Sequence, residues 1–120
     1  MKNKLRLLAL SAALLAGAII APAARAQGAP QRIEITARRS FFTPNEITVE
    51  KGRPVVLVLK SADVGHGIRF RDFNVDVKVK AGGTAEVTFT PDKTGDFVGH
   101  CSVFCGDGHG SMKIVLHVVG

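Results

Sequence analysis

The sequence predicts a small all-β protein, an antiparallel β-sandwich of about eight strands. Short runs rich in Val, Ile, Phe and Thr are separated by Gly, Pro, Asp and Asn, a pattern typical of strands and turns. Several runs alternate, as at Ile33 and Ile35 or at Val87 and Phe89, and no run keeps a helical period of useful length. A chain of 120 residues with this many strands has one hydrophobic core and no room for a second domain.

Each break between predicted strands contains residues that favour turns. Clear examples are Ala81-Gly82-Gly83, between the fifth and sixth strands, and Thr90-Pro91-Asp92, between the sixth and seventh. In order along the chain, the predicted strands cover residues 32–38, 46–49, 54–60, 66–70, 75–80, 85–90, 95–101 and 112–119.

The beginning of the chain has the features of an export signal. Three basic residues precede a largely apolar stretch over 7–21, and small residues follow at the two positions that a signal peptidase reads. We therefore predict a signal peptide over 1–26 with cleavage after Ala26, a short tether over 27–31, and one domain over 32–120. The expected location is the periplasm or another exported compartment. An uncleaved N-terminal membrane anchor is the alternative, although the apolar stretch is shorter than the ~20 residues of a typical transmembrane helix.

The formal net charge of +6 depends largely on this leader, which carries four of the 16 basic residues and none of the 10 acidic ones. The remaining chain has 12 basic and 10 acidic residues, a net charge of +2. Its Lys and Arg residues are scattered along the sequence rather than clustered. The charge pattern therefore gives no support for a nucleic-acid partner.

A short segment near the C-terminal end carries most of the chemistry. Cys101 and Cys105 are the two cysteines of the chain, and His109 and Met112 follow them closely. Thiolate, imidazole and thioether groups together favour copper. In an exported protein the two cysteines also have the alternative of a disulfide. A ring this small stabilises a fold less than the ~2–4 kcal/mol of a typical bridge.

A further histidine, His66, stands at the start of a predicted strand far upstream of this loop. A distant histidine combined with a C-terminal Cys/His/Met loop resembles the cupredoxins, whose fold is a Greek-key β-sandwich. The spacing Cys-x3-Cys-x3-His-x2-Met more narrowly resembles the copper A domain of cytochrome c oxidase subunit II and nitrous oxide reductase. The resemblance covers residues 31–119 and includes the sequence SADVGH at 61–66.

The resemblance implies a centre of two copper ions and an electron-transfer function. The two cysteines would bridge both ions, the upstream histidine and the methionine would complete one ion, and the loop histidine and a backbone carbonyl would complete the other. The methionine would be a weak axial ligand that adjusts the potential. The implied ligands are His66, Cys101, Val103 through its carbonyl oxygen, Cys105, His109 and Met112.

The resemblance also implies that the protein is not an enzyme, because every protein ligand position is filled and no acid/base pair accompanies the site. Expected partners are a c-type cytochrome, a terminal oxidase or reductase, or a copper-delivery protein, and the domain is expected to be a monomer. His100, next to the loop, is expected to be a neighbour of the site that donates a hydrogen bond to a ligand. His117 is expected to be a solvated or packing residue.

Other chemistries use the same atoms. A mononuclear blue-copper site needs His66, Cys105, His109 and Met112, and leaves Cys101 surplus. A structural zinc site of two cysteines and two histidines leaves the methionine without a role. A cysteine nucleophile lacks an evident orienting group. A periplasmic copper chaperone, in which the metal is cargo, uses the same ligands as the electron carrier.

The chain also differs from oxidase subunit II. That subunit carries two membrane helices before its copper domain, and this chain has at most one. No Trp or Tyr occurs anywhere, so the aromatic patch by which the oxidase subunit receives electrons has no counterpart. Gly67 stands where the family commonly has Ser. These differences leave the expected ligands intact, but membership of an oxidase complex is not implied.

Overall fold

The computed structural model describes Gly17 and residues 28–120. Among these residues nine strands form two packed sheets, and no helix is long and apolar enough to cross a membrane. Apart from Gly17, the predicted signal peptide lies outside the described residues. Two single turns of 3-10 helix lie at Arg71–Phe73 and His109–Ser111. The strands are β1 (Gln31–Arg38), β2 (Phe41–Thr43), β3 (Glu46–Glu50), β4 (Val55–Ser61), β5 (His66–Phe70), β6 (Val75–Val79), β7 (Thr84–Phe89), β8 (Gly95–His100) and β9 (Lys113–Val119).

The predicted β-sandwich is confirmed. One sheet has the strand order β2-β1-β4-β7, and the other has the order β3-β9-β8-β5-β6. Eight of the strands match the predicted ones with small shifts at their ends, and Gln31 belongs to β1 rather than to the predicted tether. The additional strand, β2, pairs with β1 over three residues only, which is too short for an alternating pattern to be visible in the sequence.

The sheets are mixed rather than purely antiparallel. Strand β1 runs parallel to β4, and β3 runs parallel to β9, whereas the other strand pairs are antiparallel. The parallel pairs arise because the chain crosses from one sheet to the other at β3 and returns at β4. Such crossings bring strands that are distant in sequence into contact, as is usual in sandwiches.

The core lies between the two sheets and follows the alternation of the strands. In β3 and β6 every second residue is buried, which places one face of each strand inward. Strand β4 is buried almost throughout because it lies inside its sheet. The largest fully buried apolar side chains are Phe42, Phe70, Ile35, Leu57, Leu59, Ile68, Met112, Ile114 and Leu116.

The topology brings the predicted ligands to one end of the sandwich. Strand β5 begins at His66, and β8 ends at His100, directly before the Cys/His/Met segment. These two strands are antiparallel neighbours that share a single register pair, Arg69 with His100. The start of β5, the end of β8 and the start of β9 therefore lie at the same end.

His117 links three strands on the outer face of the five-stranded sheet. Its Nδ1 is 2.6 Å from Asp96 Oδ1 on β8, and its Nε2 is 3.4 Å from Glu46 Oε1 on β3. The hydrogen bond with Asp96 is the main cause that raises the pKa of His117 above its ordinary value of 6.5. The side chain thus has carboxylate partners on both neighbouring strands.

This arrangement predicts a pH-dependent contribution to stability. A raised pKa means that the interaction is fully present below pH 6.5 and is lost as the pH rises through the pKa of the folded protein. We expect the melting temperature of the wild type to fall relative to that of His117→Gln between about pH 6 and about pH 9. Asp96→Asn, which removes the main partner of His117, should abolish most of this difference. Parallel curves for wild type and His117→Gln would contradict the prediction.

Candidate metal centre

The predicted ligand loop connects β8 to β9 and closes on itself. Cys101 N donates to the carbonyl oxygen of Met112 at 3.1 Å, where the loop leaves and rejoins the sheet. Within the loop, the helical turn at His109–Ser111 is preceded by Gly108 with φ +83°, and Gly106 has φ +109°. These backbone angles favour glycine, so the glycines allow the loop to fold tightly around its own side chains.

Three sulfur atoms lie together at the base of the loop. Cys101 Sγ is 3.8 Å from Cys105 Sγ, which in turn is 3.5 Å from Met112 Sδ. All three side chains are buried. His109 Nδ1 lies 3.5 Å from Cys105 Sγ. The loop thus brings four of the predicted ligands into one cluster.

His66 joins this cluster from the start of β5. Its side chain is fully buried, and its Nδ1 lies 4.0 Å from Cys101 Sγ. One ligand atom each from His66, Cys101 and Cys105 lies within 4.8 Å of the others. The long interval in the sequence between the histidine and the cysteines is therefore closed by the pairing of β5 with β8.

The last predicted ligand is a backbone atom. The carbonyl oxygen of Val103 accepts a hydrogen bond from the Cys101 thiol at 3.2 Å, so it faces the sulfur cluster. The next side chain, Phe104, points outward and is 78% exposed, and its ring lies 5.4 Å from that of His109 between centroids. The structure therefore brings all six predicted ligands to the same end of the sandwich.

Asp63 orients His66 and was not singled out by the sequence analysis. Its Oδ1 lies 2.7 Å from His66 Nε2, which leaves Nδ1 directed toward the sulfur atoms. The same carboxylate accepts backbone N–H groups from Arg39 and Val64 at 2.9 and 2.7 Å. These bonds, above all the one from Arg39, lower the pKa of Asp63 to about 2. The signal in the sequence was an aspartate three residues before a strand-initial histidine.

Burial acts in the opposite direction on the pKa of the Cys105 thiol. Desolvation, followed by the hydrogen bond with Cys101, raises the pKa of Cys105 to about 11. The metal-free thiol is therefore protonated at neutral pH. Because metals bind the thiolate, uptake of a metal ion must release this proton.

His100 lies outside the cluster. Its side chain is exposed, and it forms no hydrogen bond with a ligand in the described part of the chain. The expected hydrogen bond from His100 to a ligand is therefore absent, because the β-strand pleat turns this side chain to the outer face of the sheet while Cys101 turns inward.

Gly67 permits close packing between β5 and the ligand loop. A Cβ atom at this position would overlap Ser102 Oγ and would lie 3.1 Å from the carbonyl oxygen of Val77. Ser102 is held in place, because its hydroxyl donates to Asp76 Oδ1 at 2.8 Å and its N–H donates to the Gly67 carbonyl oxygen at 3.4 Å. Glycine at position 67, where the family commonly has serine, thus leaves the space that Ser102 of the loop fills.

We expect Gly67→Ala to lower the free energy of unfolding of the metal-free protein by about 1–3 kcal/mol through overpacking. Urea denaturation measures this change. Adding Ser102→Ala removes the hydroxyl that the new methyl group meets, so a double-mutant cycle should show recovery of part of the loss. Gly110→Ala is the control, because nothing lies within 4 Å of a Cβ atom there. Equal stability of Gly67→Ala and Gly110→Ala would refute the packing argument.

The donor set fits a thiophilic metal. The two cysteine sulfurs are closer than twice a metal–thiolate bond of about 2.3 Å, so one ion can contact both. Imidazole nitrogen and thioether sulfur flank them, and no carboxylate oxygen lies in the described cluster. Soft sulfur with imidazole is the donor set of copper centres, whereas a calcium or magnesium site needs oxygen ligands.

Comparison with known proteins agrees with this architecture. The chain is 35% identical over 85 residues to nitrous-oxide reductase of Cupriavidus necator, which covers 68% of this chain and 13% of the reductase. It is 34% identical over 71 residues to cytochrome c oxidase subunit 2 of Thermus thermophilus, which covers 59% of this chain and 53% of the subunit. The chain thus spans a small part of the reductase and about half of the oxidase subunit.

Solved structures show the same relationship. The periplasmic domain of cytochrome oxidase subunit II of Bradyrhizobium japonicum superposes with a TM-score of 0.68 at 25% identity, covering 74% of this chain and 83% of that domain. The predicted resemblance to oxidase subunit II and nitrous-oxide reductase is therefore confirmed. The model of the cupredoxin-like domain family matches residues 8–115, and the chain belongs to that family.

Proposed function

We propose that this protein is an exported, copper-binding electron carrier with a binuclear centre of the copper A type. The observation that carries the proposal is the pair of buried cysteine sulfurs 3.8 Å apart, with histidine nitrogens on both sides. Thiolates in this arrangement can be shared by two metal ions. When bound, the copper pair would take up and release single electrons.

The position of Cys101 favours two ions over one. A mononuclear blue-copper site would not use this thiol, so it would not require Cys101 to lie among the other candidate ligands. Here its Sγ is the atom that lies near both His66 Nδ1 and Cys105 Sγ. The position of Met112 argues in the same way against structural zinc, because its buried thioether lies 3.5 Å from the Cys105 sulfur, where a site of two cysteines and two histidines would give it no role.

The residues around the cluster support electron transfer rather than catalysis. His66 is held by Asp63, the loop is closed by the Cys101–Met112 backbone bond, and the sulfur atoms are buried. A site held this firmly changes little between oxidation states, which favours rapid electron exchange. The protein is proposed to catalyse no reaction of its own. Its redox partner is proposed to be a c-type cytochrome or a terminal oxidase or reductase, as its relatives' names indicate.

A copper-delivery function is the second candidate, and the partial exposure of His109 favours it. This ligand lies beside the outward-facing Phe104 at the edge of the loop, where a chelator or a partner could reach the metal. Exchange distinguishes the two functions. A resident redox centre should lose copper(I) slowly to bathocuproine disulfonate, whereas cargo should transfer within mixing time.

The binuclear centre is tested by adding copper to the reduced, metal-free protein. We expect two copper ions per chain by native mass spectrometry, a purple species, and an electron paramagnetic resonance spectrum in which one unpaired electron is shared by both nuclei. A blue species with one copper ion per chain would refute the binuclear centre while leaving a cupredoxin electron carrier. Absence of copper binding would refute the proposed function as a whole.

A further inference from the structure

A recess opens on the outer face of the five-stranded sheet, beside the ligand loop. Its volume is about 580 Å³, and one part of its wall is Cys101. Next to the cysteine the lining is formed by Ser102 and His100, and opposite them by Arg69 and Arg71. The recess therefore places two guanidinium groups of the surface next to a residue of the candidate metal centre.

Arg69 is fixed in place within this recess. Its Nε and Nη2 donate to Asp76 Oδ2 at 3.2 and 2.8 Å, and Asp76 also accepts from Ser102 Oγ at 2.8 Å. The arginine side chain nevertheless remains 43% exposed. Since the guanidinium group has five N–H donors in a fixed fork, the two used by Asp76 leave three for other partners.

Arg71 has no such partner. Within residues 28–120 no carboxylate comes within ion-pairing distance of it, and it lies exposed on the helical turn that follows β5. Asp72 is the single carboxylate among the lining residues, and Asp76, just outside them, is taken up by Arg69. Arg71 therefore supplies the guanidinium donors that no carboxylate engages. Lys113 lies beyond His100 in the register of β8 and β9, which adds to the positive charge of this edge.

We propose that this recess receives carboxylate groups from an acidic surface of the redox partner and is the place where electrons pass to or from the centre through Cys101. The proposal rests on the proposed function and names the chemistry of the partner. Arginine forks match carboxylates in geometry, and an unpaired arginine at a rim steers an acidic partner to its site. Cys101 lines the recess while its buried sulfur faces the inner cluster, so a partner seated there lies one residue's thickness from a candidate ligand atom.

The first test needs no copper. Hexacyanocobaltate(III), an anion that does not react, is added to the metal-free protein, and the Arg side-chain N–H signals are followed by nuclear magnetic resonance. We expect the largest shifts at Arg69 and Arg71. Arg71→Glu should weaken the binding about tenfold, as expected for a reversed charge at a rim. The control is Lys51→Glu, which makes the same charge change in the turn after β3, at the opposite end of the sheet.

The second test follows electron transfer by stopped flow at low ionic strength. Hexacyanoferrate(III) takes one electron from the reduced, copper-loaded protein and becomes hexacyanoferrate(II). We expect Arg71→Glu to slow this reaction at least about fivefold more than Lys51→Glu does. With the cationic oxidant tris(phenanthroline)cobalt(III), which also takes one electron, Arg71→Glu should cause no loss of rate.

Two results would overturn the inference. The first is an absence of shifts at both arginines in the metal-free protein, and the second is an equal slowing by Arg71→Glu and Lys51→Glu. The protein could also sediment with phosphatidylglycerol vesicles and lose this binding in Arg71→Glu. That result would show that the recess binds a membrane surface, and it would overturn the proposal of a protein partner. Failure of the protein to bind copper would refute the proposed function, and the metal-free titration would still decide whether the recess binds anions.

Discussion

Replacing Cys101 by serine will reduce copper uptake from two ions per chain to at most one and abolish the sharing of the unpaired electron. The serine hydroxyl is protonated at neutral pH and is a hard donor, so it cannot take the place of a bridging thiolate. The remaining His66, Cys105, His109 and Met112 form the ligand set of a mononuclear site. Metal analysis after gel filtration, together with electron paramagnetic resonance, measures both changes.

The matched control for this change is His100→Ala. His100 precedes the cysteine directly, but its side chain is exposed on the outer face of the sheet. The variant should therefore keep two copper ions and an unchanged spectrum. If Cys101→Ser retained two ions with a shared electron, the bridging position of Cys101 would be wrong. If His100→Ala lost copper, the placement of His100 outside the site would be wrong.

Asp63→Asn will weaken copper binding by about 10- to 100-fold, the usual cost of removing a carboxylate that orients a histidine ligand. The charge on Asp63 stabilises the N–H form of His66 Nε2 and keeps Nδ1 free to face the metal. The amide of asparagine lacks that charge, and only its oxygen accepts hydrogen bonds, because its nitrogen is a donor. The three donors that now converge on the carboxylate will therefore compete for one oxygen.

Competition with a copper(I) chelator measures the affinity of this variant. Asp92→Asn is the control, because it removes an exposed carboxylate that takes no part in an ion pair within the described residues. The ring signals of His66 in the metal-free protein give a second readout, since loss of Asp63 should change the tautomer. An affinity within twofold of the control would show that Asp63 serves the backbone of its turn and not the metal.

The fold could be predicted from the sequence because most strands clearly alternate apolar and polar residues. Strand β2 escaped prediction because three residues are too few to show a period, and its pairing depends on the neighbouring β1. The parallel strand pairs could not be predicted for another reason. Periodicity reports which residues face the core, but it does not report which strand lies beside which, and that depends on where the chain crosses between sheets.

The same division holds for the site. The clustering of the loop side chains could be predicted because they are close together in the sequence, and the place of His66 beside them because its position resembled a known pattern. The contacts that support them could not be predicted. The bond from Arg39 to Asp63 spans 24 residues and that from Ser102 to Asp76 spans 26, and neither pair carries a spacing that indicates contact.

The single register pair between β5 and β8 means that a bound metal ion would also stabilise the sheet. The five-stranded sheet consists of two well-paired parts, β3-β9-β8 and β5-β6, that meet at this narrow seam. His66 lies on one side of the seam and the cysteines on the other. An ion held by both would tie the two parts of the sheet together, and it would stabilise the folded protein to an extent that grows with the concentration of the free ion.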